Sequence, residues 1–66
     1  MQIEINGAPA EVADGALMAT LIATLALTGK RIAVELNGEL VPRSRFDCQV
    51  LKHGDRVEII QAVGGG

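Results

Sequence analysis

The chain begins MQIEINGAPAEV at positions 1–12, two short alternating segments joined by Asn6 and Gly7. In the first five residues the odd positions are apolar and the even positions are polar, which is the pattern of a strand with one buried face. Asparagine followed by glycine is a strong hairpin signal because both residues tolerate the positive φ of a type I′ turn. The returning segment, 8–12, contains Pro9, whose missing N–H predicts a strand at the edge of a sheet.

The next segment has the spacing of a helix rather than of a strand. Its apolar residues recur three and four positions apart, and alanine, which favours helix, fills many of the remaining positions. Asp14 is the only polar residue nearby that can cap the helix start. Gly29, after Thr28, is expected to end the helix because glycine suits the left-handed C-terminal position. The stripe predicted to face the core consists of Leu17, Met18, Leu21, Ile22 and Leu25.

A second hairpin and a last strand follow the helix. Residues 31–36 alternate and lead into asparagine and glycine at 37–38, a second type I′ signal. Pro42 is expected to end the returning strand, and a short helical turn is expected near 43–48. The final strand is predicted over 56–63. Three apolar residues of the stretch 43–52, which holds this turn, are expected to pack against the core: Phe46, Val50 and Leu51.

The order of these elements is an α+β pattern. One helix covers one face of one sheet, and if the last strand inserts beside the first, the arrangement is the ubiquitin-like β-grasp. We therefore expect a β-grasp domain over 1–63, with a mixed sheet of four to five strands, and a flexible C-terminal glycine tail, 64–66. The other face of the sheet should be open to water. The helix is predicted to pack on Ile3, Ile5, Ile32, Val34, Val57 and Ile59.

Composition argues against nucleic acids and membranes as partners. The net charge is −2 and aromatic residues make up 2% of the chain, so it offers neither a basic surface for phosphates nor aromatic faces for bases. The apolar run at 16–27 is shorter than the roughly 20 residues that span a bilayer, and the N-terminus lacks the pattern of a signal peptide. We expect a cytoplasmic protein with no nucleic-acid or membrane partner.

No catalytic or metal site emerges from the reactive side chains. Ser44 and His53 are the only serine and histidine, and a nucleophile needs an adjacent base held by a third group. Cys48 is the only cysteine, which excludes an internal disulfide and, with one histidine, leaves too few ligands for a metal site. The chain is therefore expected to be no enzyme and to bind no cofactor.

The three terminal glycines, Gly64, Gly65 and Gly66, are the feature that composition does not explain. A cloning remnant or a frayed end is one interpretation. Glycine has no Cβ, however, so three such residues can carry a terminus about 10 Å into a narrow channel. The α-carboxylate of Gly66 would then be the reacting group, activated as an acyl adenylate by ATP. The catalytic groups would belong to a partner.

The whole chain resembles the ThiS-type sulfur carriers of thiamine biosynthesis, which are small ubiquitin-like β-grasp proteins. The stretches that carry the resemblance are VADG at 12–15, AVELNGELVPRS at 33–44 and LKHGDRVEIIQAVGGG at 51–66. Two positions depart from the family pattern. Leu17 stands where relatives often have a serine or threonine cap, and Phe46 stands where they often have tryptophan.

The resemblance implies a cycle of sulfur transfer. An activating adenylyltransferase related to ubiquitin-activating enzymes would use ATP to adenylate Gly66, and sulfur relayed from cysteine would leave a C-terminal thiocarboxylate there. Thiazole synthase would take that sulfur into the thiazole ring. Gly64 and Gly65 would enter the partner. The predicted docking surface consists of Ile60, Ala62 and Val63, and edge packing or self-association is its alternative.

Three other functions fit the same fold. The small subunit of molybdopterin synthase shares the fold, the glycine end and the thiocarboxylate chemistry. A β-grasp interaction module would keep its function after Gly65 and Gly66 are deleted. A protein-conjugating modifier would end in an isopeptide bond to lysine.

Overall fold

A computed structural model describes residues 1–62. Its elements are β1 (Gln2–Ile5), β2 (Ala8–Glu11), α1 (Met18–Thr24), β3 (Ile32–Leu36), β4 (Glu39–Val41), a 3₁₀ turn (Arg43–Arg45) and β5 (Arg56–Gln61). The five strands form one sheet in the order β2-β1-β5-β3-β4. β5 is parallel to β1, whereas the other pairs are antiparallel. The mixed β-grasp sheet, the short helical turn and the edge position of Pro9 in β2 are confirmed.

Both asparagine–glycine pairs form the predicted turns. The φ angles are 50° at Asn6 and 83° at Gly7, and 52° at Asn37 and 88° at Gly38. A type I′ turn requires positive φ at both central residues, and its twist matches that of the strands it joins. The two turns therefore set the register of β1 with β2 and of β3 with β4.

The core lies between α1 and the inner face of the sheet. Met18, Leu21 and Ile22 are the buried residues of the helix. The predicted sheet positions are confirmed: three are buried, and Ile5, Ile32 and Ile59 pack against them partly buried. The full buried set is Ile3, Met18, Leu21, Ile22, Val34, Val41, Phe46, Leu51 and Val57.

Two residues predicted to lie in the core are exposed. Leu25 is 38% exposed because it follows the last helical residue, Thr24, and no longer shares the buried face of α1. Val50 is 45% exposed. Its backbone pairs with Leu17 in an isolated antiparallel bridge. Neighbouring residues in an extended segment point to opposite sides, so Leu51 takes the buried position and Val50 faces water.

The helix begins without a side-chain cap. Leu17 occupies the N-cap position, and Asp14 does not cap the helix. Main-chain carbonyls of the segment after the 3₁₀ turn replace the cap: Met18 N donates to Gln49 O at 2.8 Å, and Ala19 N donates to Phe46 O at 2.9 Å. These bonds satisfy N–H groups that a helix start leaves without partners. An apolar Leu17 is therefore tolerated at the cap.

The prediction that Gly29 ends the helix is wrong, because the helix ends earlier. Ala26 adopts φ 59°. Leu27 N donates to Ile22 O and Ala26 N to Ala23 O, both at 3.0 Å, which is the bonding of a Schellman motif. Gly29, with φ 78°, serves a different turn. In that turn Lys30 N donates to Leu27 O at 3.0 Å.

Candidate functional site

The strand that precedes the terminal glycines is the central strand of the sheet. β5 has β1 on one side and β3 on the other. The contact with β1 is short, with Glu4 opposite Arg56 and Ile5 opposite Val57. The contact with β3 is longer and reaches Ile32 opposite Gln61. The C-terminal half of β5 thus extends past the end of β1 while it remains paired with β3.

Two further contacts hold β5 beyond the end of β1. The side-chain amide of Asn6 binds Ile59 twice: Oδ1 accepts from Ile59 N at 2.8 Å, and Nδ2 donates to Ile59 O at 3.2 Å. On the other side, Ala62 N donates to Arg31 O at 2.9 Å. The backbone of β5 is therefore fixed on both sides at Ile59 and on the β3 side as far as Ala62.

The predicted reacting residues lie outside the described part of the chain. Gly66, expected to carry the sulfur, and Gly64 and Gly65, expected to enter the partner, follow residue 62. Val63 of the predicted docking surface and of the predicted last strand also lies outside it. The predicted boundary between the domain and its tail falls among these residues, so it stays a prediction.

The outer face of the sheet carries the other two predicted docking residues. Ile60 is 61% exposed, and Ala62 is also exposed. Ala33 lies directly opposite Ile60 on β3. A shallow groove of about 400 Å³ adjoins these side chains. Its lining residues are Arg31, Ile32, Ala33, Arg43, Ile60 and Ala62.

Sequence reasoning missed several residues of this surface. Leu40 is 68% exposed and lies opposite Glu35, on the same face as Ile60. Arg31 and Arg43 line the groove although they come from separate segments. The outward position of Leu40 could have been predicted from the hairpin at 37–38. The turn type there fixes which residues of β3 and β4 lie opposite each other, and so which face of the sheet each residue occupies. Nothing local in the sequence places Arg43 beside Ile60.

The described residues contain no cluster suited to a metal. Within positions 1–62, no three residues among histidine, cysteine, aspartate and glutamate lie close enough together to hold an ion. His53 Nδ1 accepts a hydrogen bond from Gln2 N at 3.2 Å. The Cys48 thiol is exposed and lies 3.5 Å from Arg45 O. The side chains of His53 and Cys48 thus each contact a main-chain group nearby in the fold.

In the part of the chain that the structure describes, no helix has the length and apolar character needed to cross a bilayer.

A mixed five-stranded sheet covered on one face by a single helix places the described residues in the class of small ubiquitin-like β-grasp proteins. The sequence pattern of the ThiS family matches residues 3–66. The chain therefore belongs to the ThiS family, the sulfur carriers of thiamine biosynthesis.

Individual relatives and a solved structure match the chain over its whole length. A crystal structure of the thiamine biosynthesis protein ThiS from Geobacter metallireducens is 36% identical and superposes with a TM-score of 0.85, with 100% of both chains covered. A protein of Porphyra purpurea named uncharacterized protein ycf40 is 36% identical, and the match covers 100% of this chain and 93% of that protein. A thiazole synthase of Magnetococcus marinus is 32% identical over the whole of this chain, which spans only 20% of that protein.

Proposed function

We propose that the chain carries sulfur on the carboxyl group of Gly66 and delivers it to thiazole synthase. The observation that carries this proposal is that the ThiS family match runs through residue 66 and so includes all three terminal glycines. The glycine run follows the central strand of a β-grasp sheet, which suits a protein that presents the carboxyl group of Gly66 to other proteins. The chain itself acts as a co-substrate, not as an enzyme.

The proposed chemistry needs no catalytic side chain in this protein. A free α-carboxyl group is ionised at neutral pH. Its oxygen attacks the α-phosphorus of ATP in the activating adenylyltransferase, pyrophosphate leaves, and an acyl adenylate forms at Gly66. Hydrosulfide attack on the carbonyl carbon then displaces AMP and leaves the terminal thiocarboxylate. With a persulfide donor the first product is an acyl disulfide, and a second thiol must reduce its S–S bond to release the thiocarboxylate. The sparse reactive side chains of residues 1–62 are compatible with this division of labour.

The proposed delivery to thiazole synthase rests on the comparisons. Proteins named thiazole synthase, from two organisms, contain a segment that matches this entire chain. A sulfur carrier joined to its acceptor enzyme in one polypeptide would meet that enzyme at high effective concentration. We infer that the separate chain meets the same kind of enzyme by binding.

The proposed docking surface includes the exposed apolar part of the outer sheet face at Ile60 and Ala62, and the predicted contribution of Val63 lies outside the described residues. An apolar patch beside a reactive terminus suits a partner that must bind the body of the carrier before it takes the tail. The absence of a Cβ in Gly64 and Gly65 lets the backbone enter a channel too narrow for other residues.

Intact-mass analysis tests the function directly. The chain is incubated with ATP, the cognate activating enzyme and a sulfur source, and fragmentation then locates any change. We expect one oxygen to be replaced by sulfur at Gly66. The matched control lacks Gly65 and Gly66 and should remain unmodified although residues 1–62 fold as before. An unmodified full-length chain under conditions that load a known ThiS protein would disprove the proposal.

Genetic complementation separates the thiamine assignment from the molybdopterin alternative. We expect the chain to restore thiamine synthesis in a strain that lacks its sulfur carrier and to leave a strain deficient in the molybdopterin synthase small subunit unrestored. The reverse result would assign the chain to the molybdenum cofactor.

A further inference from the structure

The groove on the outer sheet face has positive charge at the end where the chain continues toward the glycines. Arg31 lies opposite Ala62 and lines the groove with Ile60. Arg43 also lines the groove, and its Nη2 atom donates to Lys30 O at 2.7 Å. In the part of the chain that the structure describes, neither arginine forms an ion pair.

The same face carries negative charge at the next outward-facing residue pair, further from the glycines than Ala33 and Ile60. Glu35 and Glu58 lie directly opposite each other on β3 and β5, next to the pair of Ala33 and Ile60. Like charges in directly opposed positions destabilise a sheet. No ion pair among residues 1–62 relieves this repulsion. The free protein therefore retains an unfavourable interaction on the surface that surrounds its exposed isoleucine.

These charges lie on either side of one apolar patch. Ile60, with its neighbour Ala33, separates the arginines from the glutamates, and Leu40 borders the glutamates on β4. Apolar contact alone does not orient a partner, because burial of apolar surface is non-directional. Opposite charges at two sides of the patch do orient it, since a partner docked the wrong way round would face like charges.

We propose that this surface binds a partner protein in one orientation through two charge contacts of opposite sign. The partner presents an apolar side chain to the groove, carboxylates to Arg31 and Arg43, and a lysine or arginine to Glu35 and Glu58. This inference rests on the proposed function, in which the activating enzyme is the partner that must receive Gly66. The orientation directs the end of β5 toward the active site of that enzyme.

The test measures ATP-dependent pyrophosphate release by the cognate activating enzyme as the concentration of this chain is varied. Arg31→Glu reverses charge at one side of the patch, and its matched control is Lys52→Glu, an exposed lysine in the loop before β5. Glu58→Gln removes charge at the other side. Its matched control is Glu39→Gln, an exposed residue of β4 whose alternation with Leu40 puts it on the opposite face of the sheet.

We expect each test variant to raise KM about twofold to fivefold, the range of an exposed charge pair, with kcat unchanged. Both controls should retain the KM of the unmodified chain. Glu58→Gln should also raise Tm by a few degrees, because it removes the repulsion with Glu35. A purely structural role for Glu58 predicts a lower Tm, so the combination of higher stability and weaker binding is specific to this proposal.

Two results would overturn the inference. If KM in the test variants equals that of their controls, the charges are solvated surface groups with no role in docking. If kcat falls at constant KM, the residues act after binding rather than in it. Failure of the unmodified chain to support pyrophosphate release is a separate result, because it removes the proposed function and this inference with it.

Discussion

The side chain of Asn6 binds the main chain of Ile59 at both of its polar groups. The Oδ1 atom lies 2.8 Å from Ile59 N, and the Nδ2 atom lies 3.2 Å from Ile59 O. Asn6 is also the first residue of the turn that follows β1, with φ 50°. One asparagine thus ends β1 and continues its contact with β5 by side-chain hydrogen bonds. The position of β5 just before Ile60 depends on this residue.

Asn6→Gly is expected to loosen β5 and leave the first hairpin intact. Glycine adopts positive φ readily, so the turn can form, but both hydrogen bonds to Ile59 are lost. Because these bonds are exposed, we expect a loss of about 1 kcal/mol in the free energy of unfolding. Hydrogen exchange should be faster at the Ile59 amide and nearly unchanged at the hairpin amides. Urea unfolding measures the stability.

Asn6→Asp distinguishes the contributions of the two hydrogen bonds to Ile59. The carboxylate keeps an acceptor for Ile59 N, but its second oxygen faces Ile59 O without a proton to share. We expect its stability to fall as well, with partial protection retained at the Ile59 amide. Exchange at that amide as slow as in the unmodified chain, in both variants, would show that the contact contributes nothing.

Ala26→Gly should stabilise the protein. Ala26 has φ 59°, a left-handed conformation in which a Cβ is unfavourable by roughly 1–2 kcal/mol. Glycine relieves this strain but adds freedom to the unfolded chain that costs about 0.4–1 kcal/mol. The expected net gain is therefore about 0.5–1 kcal/mol, which corresponds to a rise in Tm of several degrees for a domain of this size.

Ala23→Gly is the matched control for this gain, because it makes the same change three residues earlier inside α1. A glycine in a helix interior costs about 1 kcal/mol relative to alanine, so its stability should fall. Opposite signs for the two variants in urea unfolding would establish the Schellman motif. If Ala26→Gly is destabilised like its control, the helix continues through Ala26 in solution.

The contrast between Ala26 and the asparagine–glycine turns shows which parts of the fold could be predicted from sequence. Asn6-Gly7 and Asn37-Gly38 prefer the conformations that they adopt, so local sequence predicts both hairpins and the alternation of the strands around them. Alanine has no preference for positive φ. Tertiary packing of Leu27 against the core accompanies the early end of the helix at Thr24, and no local signal predicts the left-handed Ala26 that follows.

The candidate site likewise has some features that the sequence predicts and others that it does not. Alternation along β5 predicts that Ile60 and Ala62 face away from the helix, and both are exposed. The two hydrogen bonds between Asn6 and Ile59 join residues that are distant in sequence, and so does the groove that Arg31 and Arg43 both line. Both features follow only from the tertiary fold. The carrier chemistry is predicted from the glycines and from the family resemblance, because residues 1–62 hold no metal-binding cluster that would indicate a reaction.

The amino group of Met1 should make stability depend on alkaline pH. It lies 3.3 Å from Glu11 Oε2 and 3.4 Å from Asp14 Oδ1. The hydrogen bond to Glu11 is the main cause that raises the pKa of this amino group above its usual value of 8.0. Folding therefore favours the protonated form. The resulting stabilisation is complete below pH 8 and is lost as the pH rises through the folded-state pKa.

Glu11→Gln tests this dependence because it replaces the carboxylate that accepts the main hydrogen bond with an uncharged amide, a weaker acceptor for a charged donor. We measure the free energy of unfolding by urea at intervals from neutral to alkaline pH. The unmodified chain should lose more stability over this range than Glu11→Gln, in which Asp14 is the one ionised side chain left beside the amino group. Glu39→Gln, with the same change on β4, should follow the unmodified chain. Parallel curves for the unmodified chain and Glu11→Gln would contradict the prediction.

Ile60→Asp is expected to weaken partner binding while the fold is kept. Ile60 is 61% exposed, so the change removes little buried surface, and we expect under about 1 kcal/mol of lost stability from the lower strand preference of aspartate. An aspartate in the groove would put a charge against the apolar side chain of the partner. KM for the chain in adenylation should rise by about tenfold or more, as for loss of a central apolar contact.

Val50→Asp, which places the same charge on an exposed residue outside the sheet face, should leave KM unchanged. Equal KM values for Ile60→Asp and the unmodified chain would remove Ile60 from the docking surface.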